Sequence, residues 1–232
     1  MAAAAGVTPE AAAGALEPGR PVRVLACDVD GCLAAAGHAD YDLRAFSRLA
    51  ELNRLAARDE TVPALTLVTG RPHAYVDALS QALAIDLPMS FENGAGLATR
   101  RPYGYRLDPR AEAGLPALRR LAAAVEASGH LILQPGKLAS LSVFPRAAGA
   151  DLDGLTAEVA ALVERLGLDL VVDPSTDCVN VLVPGVDKAT GFAWLCEELG
   201  LEPAEVAGVG DSVGDAAWLA SCGVSFAPAN AV

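Results

Sequence analysis

Three short apolar runs in this chain each end on an oxygen-bearing residue or on a turn that carries one. Val22 to Cys27 stops at Asp28, Ala64 to Val68 stops at Thr69-Gly70, and Val206 to Val209 stops at Gly210-Asp211. Between the first two, Leu43, Phe46, Leu49, Leu52 and Leu55 recur at helical spacing from Tyr41 to Arg58, and a second helix is predicted from about Pro72 to Leu83. Toward the end, Ala189 to Leu199 reads as a helix closed by Gly200, Pro203 opens a short turn, Asp215 to Ala220 is a helical turn, and Gly223 to Phe226 is a last short strand. Strand, loop and helix in repetition imply a parallel sheet covered by helices, with polar loops gathered at the carboxyl ends of the strands.

The middle of the chain changes period. Phe91-Glu92-Asn93-Gly94 is a turn, and Leu97 to Leu107 mixes apolar positions with Arg100, Arg101, Tyr103, Tyr105 and Arg106. Ala113 to Ser128 and Leu152 to Leu166 carry helical stripes, whereas Leu138 to Phe144, Leu168 to Asp173 and Cys178 to Val183 read as strands. This stretch is a small α+β module inserted into the larger unit. The expected fold class is α/β, a Rossmann-like parallel-sheet core interrupted by that module. The expected division is a disordered tail over 1–20, core over 21–98, insert over 99–184 and core again over 185–232.

Composition narrows the partners. Acidic residues outnumber basic ones 29 to 17, and the arginines are scattered, which argues against nucleic acid or an anionic membrane and for a small molecule. No apolar run reaches the roughly 18 residues a membrane-spanning helix needs. Cys27, Cys32, Cys178, Cys196 and Cys222 form no CxxC pair, so they read as reduced thiols of a cytoplasmic protein, with Cys27 inside a strand. His38, His73 and His130 are too dispersed for a metal cluster. The stretch before Arg20 has neither the basic start nor the continuous apolar segment of a signal peptide.

Four constellations carry candidate chemistry. In Asp28-Val29-Asp30-Gly31, residues two apart at a strand end can turn both carboxylates to one side, which separates their pKa values and their roles. Asp28 is then a nucleophile and Asp30 an acid and base, while Gly31 lets the backbone turn sharply. Thr69, with the Gly70 amide and Arg71 at the mouth, offers donors to an anion such as a phosphoryl oxygen. Lys188 opens a helix just past the Pro184-Gly185 turn and would neutralise developing charge. In Gly210-Asp211-Ser212-Val213-Gly214-Asp215 the density of hard oxygens suits Mg²⁺. Asp211 is the expected direct ligand, joined by the Asp28 carboxylate and the Asp30 carbonyl, with Asp215 acting through water or by orienting Lys188.

With DVDG at Asp28, TGR at Thr69, VDKATG around Lys188 and GDSVGD at Gly210, the chain resembles the haloacid dehalogenase-like superfamily from about Arg23 onward. The insert between the threonine and lysine motifs, entered through FENGAG at Phe91 to Gly96, is similar to the type II-B cap of the branch holding Cof-like hydrolases, sucrose phosphatase and mannosyl-3-phosphoglycerate phosphatase. The resemblance implies a Mg²⁺-dependent phosphatase working through an aspartyl-phosphate on Asp28, with catalytic Asp30, Thr69 and Lys188 and metal carboxylates Asp211 and Asp215. The chain departs from the branch at Gly214, where asparagine is common, at Cys32, where threonine is frequent, and in ending soon after Pro228.

Substrate recognition is expected from the cap, through Gln134, Lys137 and Ser140, with Arg71 below. The expected substrate is a sugar phosphate, a glycosyl-3-phosphoglycerate or phosphoglycolate. The expected partner is a small phosphorylated metabolite, with no nucleic acid and no membrane, and a homodimer is one option for an oligomeric state the sequence leaves open. Two rivals remain at this point: a phosphohexomutase using the same nucleophile, and an inactive binding protein that keeps the fold.

Overall fold

Register decides where the polar loops meet. In the computed structural model, which describes residues 21–35, 40–146 and 151–232, the strands β1 (Val24–Cys27), β2 (Ala64–Leu67), β10 (Val206–Val209) and β11 (Val224–Phe226) form a parallel sheet in the order β11-β10-β1-β2. The tail expected over 1–20 and His38 lie outside the described residues. Cys27 is level with Leu67 on one side and Val209 on the other, so the chain leaves all three strands at one height. Asp28, Val68-Thr69 and Gly210-Asp211 therefore emerge side by side, as the apolar runs predicted.

Alternation along β1 sorts its two faces. Cys27 packs with Phe46 of α1 (Leu43–Ala56) and with Val76 and Leu79 of α2 (His73–Ala82). Val24 and Ala26 pack on the other face with Phe192 and Leu195 of α5 (Lys188–Leu199) and Trp218 of α6 (Ala216–Leu219). A parallel sheet with helices on both faces buries short, nearly continuous apolar strands. Asp187 caps α5 by accepting from the Thr190 amide at 2.7 Å while the Thr190 hydroxyl reaches back to the Asp187 amide. That reciprocal cap fixes the first turn, and with it the direction of Lys188.

The sheet continues through a bridge from Val68 to Ser90 into β3 (Met89–Phe91), which pairs antiparallel with β4 (Gly96–Thr99), and β4 with β5 (Gly104–Leu107). The stretch of mixed tyrosines and arginines is thus a hairpin, and its arginines make surface ion pairs, Arg100 and Arg101 with Asp86 and Arg106 with Glu198. Between β3 and β4 the backbone is left-handed at Glu92 (φ 50°), Asn93 (φ 54°) and Gly94 (φ 89°). A Cβ on Gly94 would lie 2.1 Å from the Asp187 carbonyl, so only glycine lets the start of α5 pack there.

The cap is a four-stranded antiparallel sheet in the order β6-β7-β9-β8, made of β6 (Leu131–Leu133), β7 (Leu141–Pro145), β8 (Val171–Pro174) and β9 (Val179–Leu182). Its two helices, α3 (Pro109–Ser128) and α4 (Leu152–Arg165), cover one face, where Val143, Val179 and Val181 meet Leu118, Leu121, Val159 and Leu162. The opposite face carries Ser142 and Asn180, paired across β7 and β9. Two predicted strands move. The strand expected from Leu138 begins at Leu141, because the amides of residues 138 and 139 turn to Glu92 instead of a neighbouring strand. The strand expected from Leu168 begins at Val171, because the Leu168 amide still bonds the Val163 carbonyl as the chain unwinds from α4. No helix among the described residues is long and apolar enough to cross a membrane.

Candidate active site

Lys188 reaches from the start of α5 under the ends of β1 and β10. Its ammonium donates to Asp28 Oδ2 at 2.7 Å and to Asp215 Oδ1 at 2.8 Å. Asp215 is fully buried and saturated: its second oxygen accepts from the Ser212 amide (3.1 Å) and hydroxyl (2.7 Å), and Oδ1 also accepts from Trp218 Nε1 (2.9 Å). Burial pushes the Asp28 carboxyl up to about 6, with the Lys188 ammonium pulling the other way. Burial would likewise raise Asp215, but Lys188, Ser212 and Trp218 outweigh it and hold the group below its ordinary value. Lys188 stays above its ordinary value, because Asp28 and Asp215 outweigh the burial that would lower it.

Asp211 completes the cluster from the loop after β10. One oxygen from each of Asp28, Asp211 and Asp215 lies within 4.8 Å of the others. Asp211 packs directly on the backbone of Gly31, whose φ is +77° and where a Cβ would fall 1.8 Å from Asp211 Oδ2. Burial and the neighbouring Asp215 raise the Asp211 carboxyl. Three carboxylates answered by one ammonium leave excess negative charge, and hard oxygens in that arrangement could coordinate a divalent cation such as Mg²⁺. Gly214 has room for a side chain, the nearest neighbour to an added Cβ being Ser212 Oγ at an ordinary contact distance of 3.6 Å.

The cluster opens into a cavity of about 350 Å³ between core and cap, lined on the core side by Asp28, Asp30, Gly70, Arg71, Lys188 and Asp211. Arg71 holds both oxygens of Asp30, its Nε donating to Oδ2 at 2.7 Å and its Nη2 to Oδ1, and its guanidinium lies 4.7 Å over the Tyr75 ring. Thr69 is fully buried, its hydroxyl accepts from the Arg71 amide at 3.2 Å, and it does not line the cavity. Lys137 and Ser140 also sit off the cavity. Lys137 Nζ donates to the Gly70 carbonyl at 2.7 Å, and the Ser140 hydroxyl donates to Glu92 at 2.9 Å. Burial lowers the Lys137 ammonium to about 8.

Three residues carry more than the motifs revealed. Glu92, fully buried, accepts from the amides of Leu138 (2.8 Å) and Ala139 (2.9 Å) as well as from Ser140, so one core carboxylate ties down the cap loop. Asn93 lines the cavity with a buried Nδ2 that has no protein partner. Asn180, to which no role fell from the sequence, lines the cavity from the cap together with Ser142 and Phe144. The FENGAG turn is the one signal for the first two; for Asn180 the strand alternation alone was available, and it leaves open which face meets the core.

Residues 141–232 match the haloacid dehalogenase-like hydrolase family. A phosphoglycolate phosphatase from Natronomonas pharaonis is 30% identical over 213 residues, covering 90% of this chain and 86% of that protein. Among solved structures, Thermoplasma acidophilum 0175 superposes with a TM-score of 0.66 at 23% identity, covering 92% of this chain and 87% of its own. The sucrose-phosphatase from Synechocystis sp. PCC6803, in complex with sucrose and phosphate, gives 0.62 at 20% identity, covering 91% and 84%.

Proposed function

Because the chain belongs to the haloacid dehalogenase-like hydrolases, we propose that it is a Mg²⁺-dependent phosphomonoester hydrolase that forms an aspartyl-phosphate on Asp28. The observation that carries the reading is the Lys188 ammonium joined to Asp28 and Asp215 beside Asp211, at the mouth of a cavity of substrate size. In the first half-reaction an Asp28 oxygen bonds to phosphorus, the ester P–O bond breaks, and the leaving oxygen takes a proton from Asp30. In the second, Asp30 takes a proton from water, the water oxygen bonds to phosphorus, and the Asp28–phosphorus bond breaks to release orthophosphate. Arg71 orients the Asp30 carboxyl through both its oxygens. Lys188 spreads positive charge over the Asp28 side of the reaction, and the Gly70 amide and Asn93 Nδ2 are donors for the phosphoryl oxygens, with Thr69 supporting that loop.

The residues fit a metal. Asp28, Asp211 and the Asp30 carbonyl would hold Mg²⁺, and Asp215, saturated by its own donors, would act through water and through Lys188. Bound there, Mg²⁺ would polarise the phosphoryl group and screen its charge from the attacking carboxylate. The phosphoglycolate phosphatase relative supports a small phosphorylated metabolite as substrate.

The test is phosphate release from a panel of small phosphomonoesters with and without Mg²⁺, using Asp28→Asn as the blank. The reading requires turnover that depends on Mg²⁺ and disappears in that variant. A folded wild-type protein that releases no phosphate above the blank would refute it.

A further inference from the structure

Resting on that hydrolase reading, we propose that the alcohol half of the substrate is an uncharged polyol of monosaccharide size, and that the cap discriminates against esters whose alcohol bears a carboxylate. On the cap side the cavity meets Gln134, Ser142, Thr176 and Asn180, all neutral groups that both donate and accept, or can be turned to do either. Ser142 and Asn180 are cross-strand partners, and the Ser142 hydroxyl donates to Asn180 Oδ1 at 2.7 Å. That bond orients the amide and leaves its Nδ2 as the donor toward a ligand. Phe144, two residues beyond Ser142 and so on the same side of β7, adds an apolar wall. Polar groups set against such a wall are what a sugar-like alcohol, with hydroxyls around a carbon frame, requires.

Charge points the same way. Among the described residues the cavity is lined by two cations, Lys188 and Arg71, and each is already bonded to carboxylates, Lys188 to Asp28 and Asp215, Arg71 to Asp30. The third nearby cation, Lys137, lies off the cavity on the Gly70 carbonyl. Against these, Asp177 adds a carboxylate to the cap side. A second anionic group on the substrate would give up hydration without gaining a counter-ion, and would face Asp177. At about 350 Å³ the cavity is near the lower end of the roughly 300–1,000 Å³ usual for small-molecule sites, which limits the alcohol to about one ring.

The experiment compares kcat/KM of the full chain with Mg²⁺ on matched pairs: glucitol 6-phosphate with gluconate 6-phosphate, glycerol 3-phosphate with 3-phosphoglycerate, and 2-hydroxyethyl phosphate with phosphoglycolate. Phenyl phosphate reports the chemistry without a polyol. The neutral member of each pair should be preferred by about tenfold or more, the scale on which unpaired groups are rejected. Asp177→Asn should narrow the gap by about threefold, chiefly by raising the carboxylate member, as expected for an exposed charge in high dielectric. Asn180→Ala should lower the ratio of glucitol 6-phosphate to phenyl phosphate about tenfold. Equal or better turnover of the carboxylate members overturns the inference while leaving the hydrolase reading in place. A carboxylate preference abolished by Lys137→Met would overturn it too, by identifying that ammonium as the reader. Absence of turnover on every ester, phenyl phosphate included, would remove the hydrolase reading itself.

Discussion

Glu92 is the most informative single residue for how core and cap are held together. Its carboxylate, fully buried in the left-handed turn, accepts three hydrogen bonds from three successive cap residues. In Glu92→Ala the Ala139 amide and the Ser140 hydroxyl, on residues 1% and 2% exposed, lose their partner, while the more exposed Leu138 amide can turn to water. An orphaned buried donor costs about 1–3 kcal/mol, so the variant should lose about 3–5 kcal/mol. Glu92→Gln keeps the shape but offers one acceptor oxygen and an NH₂ facing donors, and should lose about 2 kcal/mol. Equilibrium urea unfolding measures both, and Glu92→Ala should melt roughly 10 °C lower at the 2–4 °C per kcal/mol typical of this size. Hydrogen exchange adds location: the amides of residues 138 and 139 should lose protection out of proportion to the rest. If Glu92→Ala unfolds within about 0.5 kcal/mol of wild type and those amides keep their protection, the latch does not exist.

Other consequences follow from the same geometry. Gly31→Ala puts a Cβ 1.8 Å from Asp211 Oδ2 at a φ of +77°, so it should weaken Mg²⁺ binding by more than about tenfold, read by calorimetry, at a backbone cost of about 1–2 kcal/mol. Saturating Mg²⁺ should raise the melting temperature of wild type by about 5–10 °C at a hundredfold excess over Kd, and should do so far less for Asp211→Asn. Asp108 caps α3 and accepts Arg110 at 2.7 and 2.9 Å, and those bonds, chiefly from the Arg110 guanidinium, hold its carboxyl below the ordinary value. With the folded pKa lowered, its contribution is complete above the unfolded value of about 3.9 and fades as pH falls through the folded one. The stability gap between wild type and Asp108→Asn, measured in urea, should therefore shrink between pH 5 and pH 3; a gap that widens there would exclude the pairing.

The core was legible because its signals are local. Apolar runs of strand length that stop on Asp28, Thr69 and Gly210-Asp211 define a parallel sheet, and parallel register then places their ends together without further information. The cap was legible as a class and less so in detail. Leu138 to Ser140 alternate like a strand, and nothing local announces that a carboxylate 46 residues earlier in the chain captures the Leu138 amide. For the same reason Lys137 and Ser140, which read as groups over a substrate, engage the Gly70 carbonyl and Glu92. Asn180 went unassigned because strand alternation tells which residues share a face, while only tertiary packing of α3 and α4 tells which face is left for the cavity.

The central claim is a covalent bond between phosphorus and Asp28. It is tested most directly by mixing the enzyme and Mg²⁺ with a turned-over phosphomonoester labelled in its phosphoryl group, quenching in acid within one turnover to count the label the protein retains, and reducing a parallel quenched sample with borohydride so that mass spectrometry locates the homoserine formed where the acyl phosphate stood. The account predicts retained label in the quenched wild-type protein and homoserine in place of Asp28 after reduction, and neither in Asp28→Asn. Phosphate released by an enzyme that never carries label, or label on any residue other than Asp28, would contradict it.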